Sequence, residues 1–279
     1  MKKILRKIIS LLRFLKYLDK GGVMTVTISQ LPANQELLDK VCVVTGGAVG
    51  LGSYITHRLL TSGATVIMIS SSEKHINEAL EKENSDRLFG YVWNLNNITD
   101  INGHLKKICE QTPQNRIDAW INNAAFVSDS ADDIGGNSTE IFDKTFDLNV
   151  RSLFFVSEAV CEYFKYNNIQ GKIVNISSRS SALLEPKPYH LSKYTVNGIT
   201  MALAKKYMAN GIYINAIGVG MLPIGINETD ITLNAYNSQT ASKRFVLPEE
   251  VAELVQFLLD NRGNSIIGQI IFCDGGDNL

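Results

Sequence analysis

Apolar and polar positions run in short blocks along most of the chain, and the period of the blocks keeps changing. Val41–Thr45 is an apolar, β-branched run followed by a glycine-rich turn, and a helical pattern then extends from about Gly50 to Thr61. Thr65–Ile69 is again strand-like, and a polar helix is expected from Glu73. The same alternation predicts strands near Leu88–Trp93, Ile117–Ile121, Lys172–Ile176, Tyr213–Ile217 and Gln269–Cys273. Helices are predicted near Ile101–Gln111, over Thr139–Tyr166 as one long element, from about Lys187 to Met208, and over Pro248–Leu259. Short Val- and Ile-rich strands separated by helices imply a parallel sheet buried on both faces. The expected fold is α/β: a doubly wound parallel sheet of about seven strands in a single domain. Such sheets bind ligands at the carboxyl ends of their strands.

One stretch breaks this pattern. Residues 1–24 hold seven basic residues against the single acid Asp19, and Ile4, Leu5, Ile8, Leu11, Leu12, Leu15 and Leu18 recur at helical spacing. A basic amphipathic helix of this kind suits peripheral contact with an anionic membrane surface, or packing on a neighbouring subunit. Arg13 and Lys16 interrupt the apolar stretch, which argues against a secretory signal. Residues 25–37 read as a linker, and 38–279 as the α/β domain.

Composition narrows the function classes. The 279 residues are 45% hydrophobic and 20% charged, as in an ordinary globular chain, and the net charge of −1 gives no drive toward nucleic acid. Cys42, Cys109, Cys161 and Cys273 are dispersed, with no Cys/His cluster. That excludes a zinc module or disulfide scaffold, predicts no metal, and fits a reducing, cytoplasmic compartment.

Two motifs carry chemistry. Thr45-Gly46-Gly47-Ala48-Val49-Gly50-Leu51-Gly52 joins the first strand to the first helix. Glycines let backbone approach a pyrophosphate, and the helix start offers N–H groups and the positive end of its dipole. Its spacing is Gly-x3-Gly-x-Gly. The second is Tyr189-x3-Lys193, whose members share a face on a helix. An ammonium beside a phenol favours the phenolate, so the tyrosine's pKa is expected to fall toward neutrality, where it can exchange a proton with a carbonyl oxygen. Each motif is short enough to arise by chance; their order along the chain is more specific.

These motifs, with Asn122-Asn123-Ala124-Ala125, Asn149, Ile176-Ser177-Ser178, Asn215-Ala216-Ile217 and Asp274-Gly275-Gly276, resemble the short-chain dehydrogenase/reductase family from about Leu38 to Gly276. The ending Gly268–Gly276 is similar to the branch that includes 3-oxoacyl-carrier-protein reductases. The resemblance implies a Rossmann-like fold and hydride transfer between NAD(P) and a small carbonyl or alcohol substrate. It implies Tyr189 as general acid, Lys193 lowering its pKa and holding the cofactor ribose, and Ser178 on the substrate carbonyl, with Ser177 as the alternative. Asn149 would hold a water linking Lys193 to solvent. The cofactor would be held by Thr45, Gly46, Gly50, Leu51, Gly52, Ser70, Ser71, Asn94, Asn123, Ala124 and Gly220, together with Tyr189 and Lys193. A homodimer or homotetramer through the long helices is implied as well. A sugar-derivative reductase of surface-polysaccharide biosynthesis and a non-catalytic cofactor-binding scaffold are the alternatives.

Several positions depart from the family pattern. Ile69-Ser70-Ser71-Ser72-Glu73-Lys74 has no acid at Ser70 to bind a ribose 2′-hydroxyl, and its hydroxyls with Lys74 favour NADP over NAD. The family's Pro-Gly after the sixth strand is Val219-Gly220, and Ile224 stands where a threonine is common. The gap from Ser178 to Tyr189 is short. A polar lid is expected from Gly225 to Arg244, carrying Asn227, Glu228, Thr229, Asp230, Asn234, Asn237, Ser238 and Gln239, and Glu185 and Lys187 are candidate substrate contacts.

Overall fold

The computed structural model describes Leu15 and residues 37–128, 138–183, 185–224 and 234–279. The basic segment 1–24 lies outside the described residues apart from Leu15, as does 225–233 of the expected lid. Among the described residues, no helix is long and apolar enough to cross a membrane.

Seven strands form one sheet: β1 Val41–Thr45, β2 Thr65–Ser70, β3 Leu88–Val92, β4 Ala119–Asn122, β5 Lys172–Ser178, β6 Tyr213–Val219 and β7 Ile270–Cys273. Their order is β3-β2-β1-β4-β5-β6-β7, and every neighbouring pair is parallel. The chain winds outward from β1 to β3, then returns to place β4 on the other side of β1. The crevice outside the carboxyl ends of β1 and β4 is therefore the topological switch point, where doubly wound sheets bind ligands.

Helices cover both faces. They are α1 Gly50–Thr61, α2 Glu73–Glu83, α3 Ile101–Cys109, α4 Thr139–Phe146, α5 Leu153–Tyr166, α6 Ser180–Leu183, α7 Pro188–Tyr207 and α8 Pro248–Leu259. Ile55 and Leu59 of α1 and Val251 and Val255 of α8 pack on one face of the sheet. Leu105 and Ile108 of α3, Val160 and Phe164 of α5, and Leu203 and Tyr207 of α7 fill the other. Each large apolar side chain so buried contributes about 1.5–3 kcal/mol, which explains why these runs of Val, Ile and Leu define the layers. Leu37 is buried in the first of these cores and donates its backbone N–H to Ser62 O.

The expected single helix over Thr139–Tyr166 is instead α4, a π-helical turn over Asp147–Ser152, and α5. Apolar periodicity runs through the whole span, so the sequence pattern does not reveal the wider turn. The turn contains Asn149, which is 1% exposed and reaches across to the loop after β4. The short gap between Ser178 and Tyr189 contains the helical turn α6.

Candidate active site

A cleft of about 1080 Å³ opens at the carboxyl ends of the strands, bounded by the turn after β1, the ends of β2 to β6, and the start of α7. Gly46, Gly50 and Leu51 line its floor. Gly50 has φ +55°, a left-handed conformation that glycine adopts without steric cost. The N-termini of α2, α3 and α4 are capped by the side chains of Ser72, Asp100 and Ser138. Val49, at the start of α1, provides no such cap. The first N–H groups of α1 are thus left for a ligand, and this donor set fits the pyrophosphate of a dinucleotide.

Thr45 and Gly52 do not line the cleft, contrary to expectation. The Thr45 hydroxyl donates to Ile121 O (3.2 Å) and accepts from Asn123 N (2.9 Å) and Ala124 N (3.0 Å), which ties β1 to the end of β4. Asn123 completes the tie by donating from Nδ2 to Thr45 O and Gly46 O. Gly52 lies directly behind Gly46. These residues shape the cradle from behind, while Asn123 and Ala124 also reach its surface.

Ser70, Ser71 and Asn94 line the far end of the cleft. Ser70 Oγ accepts from Ser72 N (3.1 Å), and Asn94 Oδ1 accepts from Asn96 N (3.1 Å), so both side chains are oriented by their own loops. Lys74 points away from the cleft toward Glu78. The basic side chain that does line the wall beside the serines is His75, held at the first turn of α2 by its N–H to Ser72 Oγ (3.3 Å). No alternation pattern singles out His75; its distance of five residues from Ser70, across a helix start, is the signal.

Ser178, Tyr189, Lys193 and Gly220 share the opposite end. Ser178 ends β5, where its Oγ accepts from Ser180 N (3.1 Å) and also hydrogen-bonds the Tyr189 phenol. Ser177 turns toward α7, donating to Asn197 Oδ1 (2.7 Å). Lys193 is 3% exposed and donates from Nζ to Ile176 O (2.8 Å). Gly220 packs so closely on β7 that an added Cβ would stand 2.5 Å from Asp274 Cα. Asn149 does not line the cleft: its Oδ1 accepts from Phe126 N (2.7 Å), and its Nδ2 donates to Phe126 O (2.9 Å) and Ser192 Oγ (3.1 Å). Its side chain clamps the loop after β4 to α7.

Burial dominates the electrostatics. It raises the Tyr189 phenol above its ordinary value of 10, opposed by the Ser178 hydrogen bond. The Lys193 Nζ stands 5.6 Å from the ring centre and donates to Ile176 O. Burial likewise pulls Lys193 down from 10.5 to about 8. The unfolded chain therefore holds this proton between pH 8 and 10.5 while the folded chain has released it, and stability at this position rises with pH across that window. Lys193→Met should accordingly be more stable than wild type at pH 7 by about 1–3 kcal/mol, an excess that closes near pH 10.5. Urea denaturation of both proteins at pH 7 and 10 measures it, and an excess independent of pH would contradict it.

Other expected contacts fall elsewhere. Glu185 and Lys187 pair with each other at 2.5 Å and do not line the cleft. Asn234 and Asn237 are buried and bond their own loop, through Tyr236 N (2.9 Å) and Gln239 N (3.0 Å). Arg179, which sequence reasoning passed over, does line the cleft.

Comparison with known proteins agrees with this geometry. The family model described as enoyl-(acyl carrier protein) reductase matches residues 46–278. The 3-oxoacyl-[acyl-carrier-protein] reductase of Thermotoga maritima is 30% identical over 246 residues, covering 85% of this chain and 97% of its own. A 3alpha-hydroxysteroid dehydrogenase of Mediterraneibacter gnavus is 27% identical over 252 residues, covering 86% and 97%. Among solved structures, a short chain dehydrogenase from Bacillus anthracis superposes with a TM-score of 0.75 at 26% identity, covering 88% of this chain and 98% of its own. The 3-ketoacyl-(acyl-carrier-protein) reductase of Brucella melitensis complexed with NADH has a TM-score of 0.77 at 20% identity, covering 87% and 100%, and so shares the fold. The chain belongs to the short-chain dehydrogenase/reductase family. It is an NAD(P)-dependent oxidoreductase of the Rossmann-like type, similar to the 3-oxoacyl-carrier-protein reductases.

Proposed function

We propose that this chain interconverts a carbonyl and an alcohol with NADP, using Tyr189 as the general acid and base. The observation that carries the reading is the convergence of Ser178, Tyr189 and Lys193 on one cleft with the glycine cradle. When bound, the cofactor supplies or accepts the hydride. The Ser178 hydroxyl holds the substrate oxygen beside Tyr189, and the phenol donates its proton to that oxygen in reduction. Lys193 holds the cofactor ribose and returns a proton to the phenol. Asn149 fixes the start of α7 through Ser192, and with it the Tyr189–Lys193 pair. Gly46, Gly50 and Leu51 hold the pyrophosphate, and Asn94 the adenine end.

Titration with NADPH and NADH, followed by nicotinamide fluorescence, tests the reading. Both should bind, NADPH more tightly, and binding of neither would overturn it. The preference for NADP rests on a wall of Ser70, Ser71 and His75 with no carboxylate. Ser70→Asp should reverse it, weakening NADPH by about 10- to 100-fold through charge repulsion while strengthening NADH, as coupled charges are worth about 1–3 kcal/mol. Equal loss of both cofactors would count against the assignment.

The helices of the expected homo-oligomer carry exposed apolar side chains: Phe155 on α5, and Leu191, Tyr194 and Met201 on α7. Burying that face against a second copy is the simplest account of it. Met201→Lys should convert a dimer into monomers in light scattering; an unchanged mass would remove this face from the interface. All four cysteines are free, which suits a reducing cytoplasmic setting.

A further inference from the structure

No aspartate or glutamate lines the cleft among the described residues, whereas Arg179, Lys193 and His75 all do. Lys193 and His75 are accounted for by the ribose and the phosphate-bearing end of the cofactor. Arg179 is not. It follows Ser178 directly at the end of β5, and its backbone N–H donates to Val219 O (2.9 Å), which fixes its base between β5 and β6. β4 separates β5 from the glycine cradle at β1, placing Arg179 roughly 10 Å from it at ordinary strand spacing. The arginine therefore serves the substrate end rather than the pyrophosphate.

Its partner is placed to leave it available. Among the described residues, the side chain of Arg179 has one ion-pair partner, the carboxylate of Asp277, which is buried in the C-terminal tail and does not line the cleft. A guanidinium presents five donors in a planar fork, and one carboxylate uses at most two of them. Asp277 thus offsets the cost of holding a half-buried cation and fixes its direction from behind, with the remaining donors left to the cleft. The nearby carboxylate of Glu185 is taken by Lys187.

Building on the oxidoreductase reading above, we propose that Arg179 is a specificity-determining residue and that the substrate carries an anion, a carboxylate or a phosphate, a few bonds from its reacting carbonyl. Arg179 clamps that anion bidentately while Ser178 and Tyr189 hold the carbonyl oxygen.

The test is binding to the NADPH complex, measured by calorimetry, of two matched pairs: acetoacetate against methyl acetoacetate, and dihydroxyacetone phosphate against dihydroxyacetone. At least one anion should bind about tenfold or more tightly than its uncharged counterpart, a gap within the range of charge-assisted hydrogen bonds. Which pair shows the gap separates carboxylate from phosphate. Arg179→Gln should abolish the gap and Arg179→Lys retain part of it, with NADPH affinity unchanged in both. Absence of any charge preference, or its survival in Arg179→Gln, would overturn the proposal. If Arg179→Gln fails to fold, Arg179→Lys decides the matter, because it keeps the charge and loses the bidentate fork: the gap should shrink several-fold without vanishing, and an unchanged gap counts against the proposal. Failure of both NADPH and NADH to bind would overturn the oxidoreductase reading, whereas cofactor binding without anion preference overturns only the role of Arg179.

Discussion

Gly52→Ala is expected to abolish dinucleotide binding although residue 52 does not face the ligand. A Cβ built at Gly52 overlaps the carbonyl oxygen of Gly46 and stands 2.7 Å from its carbonyl carbon and 2.8 Å from Asn123 Nδ2. Two of the three obstacles are backbone atoms of the cradle, so relief requires moving the turn itself. That turn is pinned at its other side, because Asn123 Nδ2 donates to Thr45 O and Gly46 O and Thr45 Oγ1 accepts two N–H groups from the β4 loop. Forcing a methyl group into such a closed contact costs about 1–3 kcal/mol of stability or more. Displacement of the Gly46 carbonyl and the first N–H groups of α1 should weaken cofactor binding by at least about 100-fold, since several charge-assisted hydrogen bonds lose alignment together. Gly50→Ala is the matching control for stability. An added Cβ meets no protein atom within 4 Å there, so the cost to the fold is confined to φ +55°, about 1–2 kcal/mol. Nicotinamide fluorescence titration with thermal melts of both variants measures this. Equal behaviour of the two would show that close packing behind Gly46 does not set the cradle's geometry.

The contrast between those glycines marks what the amino-acid pattern can convey. The Thr45–Gly52 run and the strand before it are local: β-branched residues that all bury, then glycines, then a helical period. Such features survive in a linear reading, and β1, α1, β2 and α8 begin and end within a residue of where the pattern puts them. Which glycine faces the ligand is a tertiary fact. Gly52 meets Gly46 only because α1 packs back against the turn. The π-helical turn is hidden for the same reason. From it Asn149 reaches the Phe126 backbone, more than twenty positions away, while the apolar spacing through Leu148, Leu153 and Val156 is that of an ordinary helix. His75 and Arg179 reach the cleft through a helix start and a strand end respectively. Polarity alone does not separate them from Lys74 and Lys187, which pair with neighbouring glutamates. The fold was therefore legible where burial set the pattern, and the cleft wall was not where single polar side chains choose between solvent and the interior.

Tyr189→Phe is the second large effect, and it separates chemistry from binding. The substitution removes one oxygen and keeps the ring that packs against His190 and beneath Lys193. Cofactor affinity and melting temperature should stay close to wild type, because the lost phenol bonds only Ser178 among the described residues. Turnover should fall by about 10²- to 10⁴-fold, the span typical of losing a positioned general acid. The pH dependence follows from the direction of the shift. Burial holds the Tyr189 phenol above its ordinary value of 10, so the protonated form that reduction needs is present throughout the neutral range. Reduction by wild type should therefore be flat in this group between pH 6 and 8, whereas alcohol oxidation, which needs the phenolate, should climb as pH rises. Tyr189→Phe should lose that climb along with the rate, leaving a slow reaction in which water supplies the proton. Ser178→Ala offers the complement. It removes the hydroxyl that hydrogen-bonds the phenol and thereby opposes the upward shift, so the oxidation limb should move to higher pH with a smaller loss of rate. Measured pH–rate profiles for the three proteins distinguish these cases. An oxidation limb that persists unchanged in Tyr189→Phe would assign the titrating group to another residue, with Lys193, near 8, next in line.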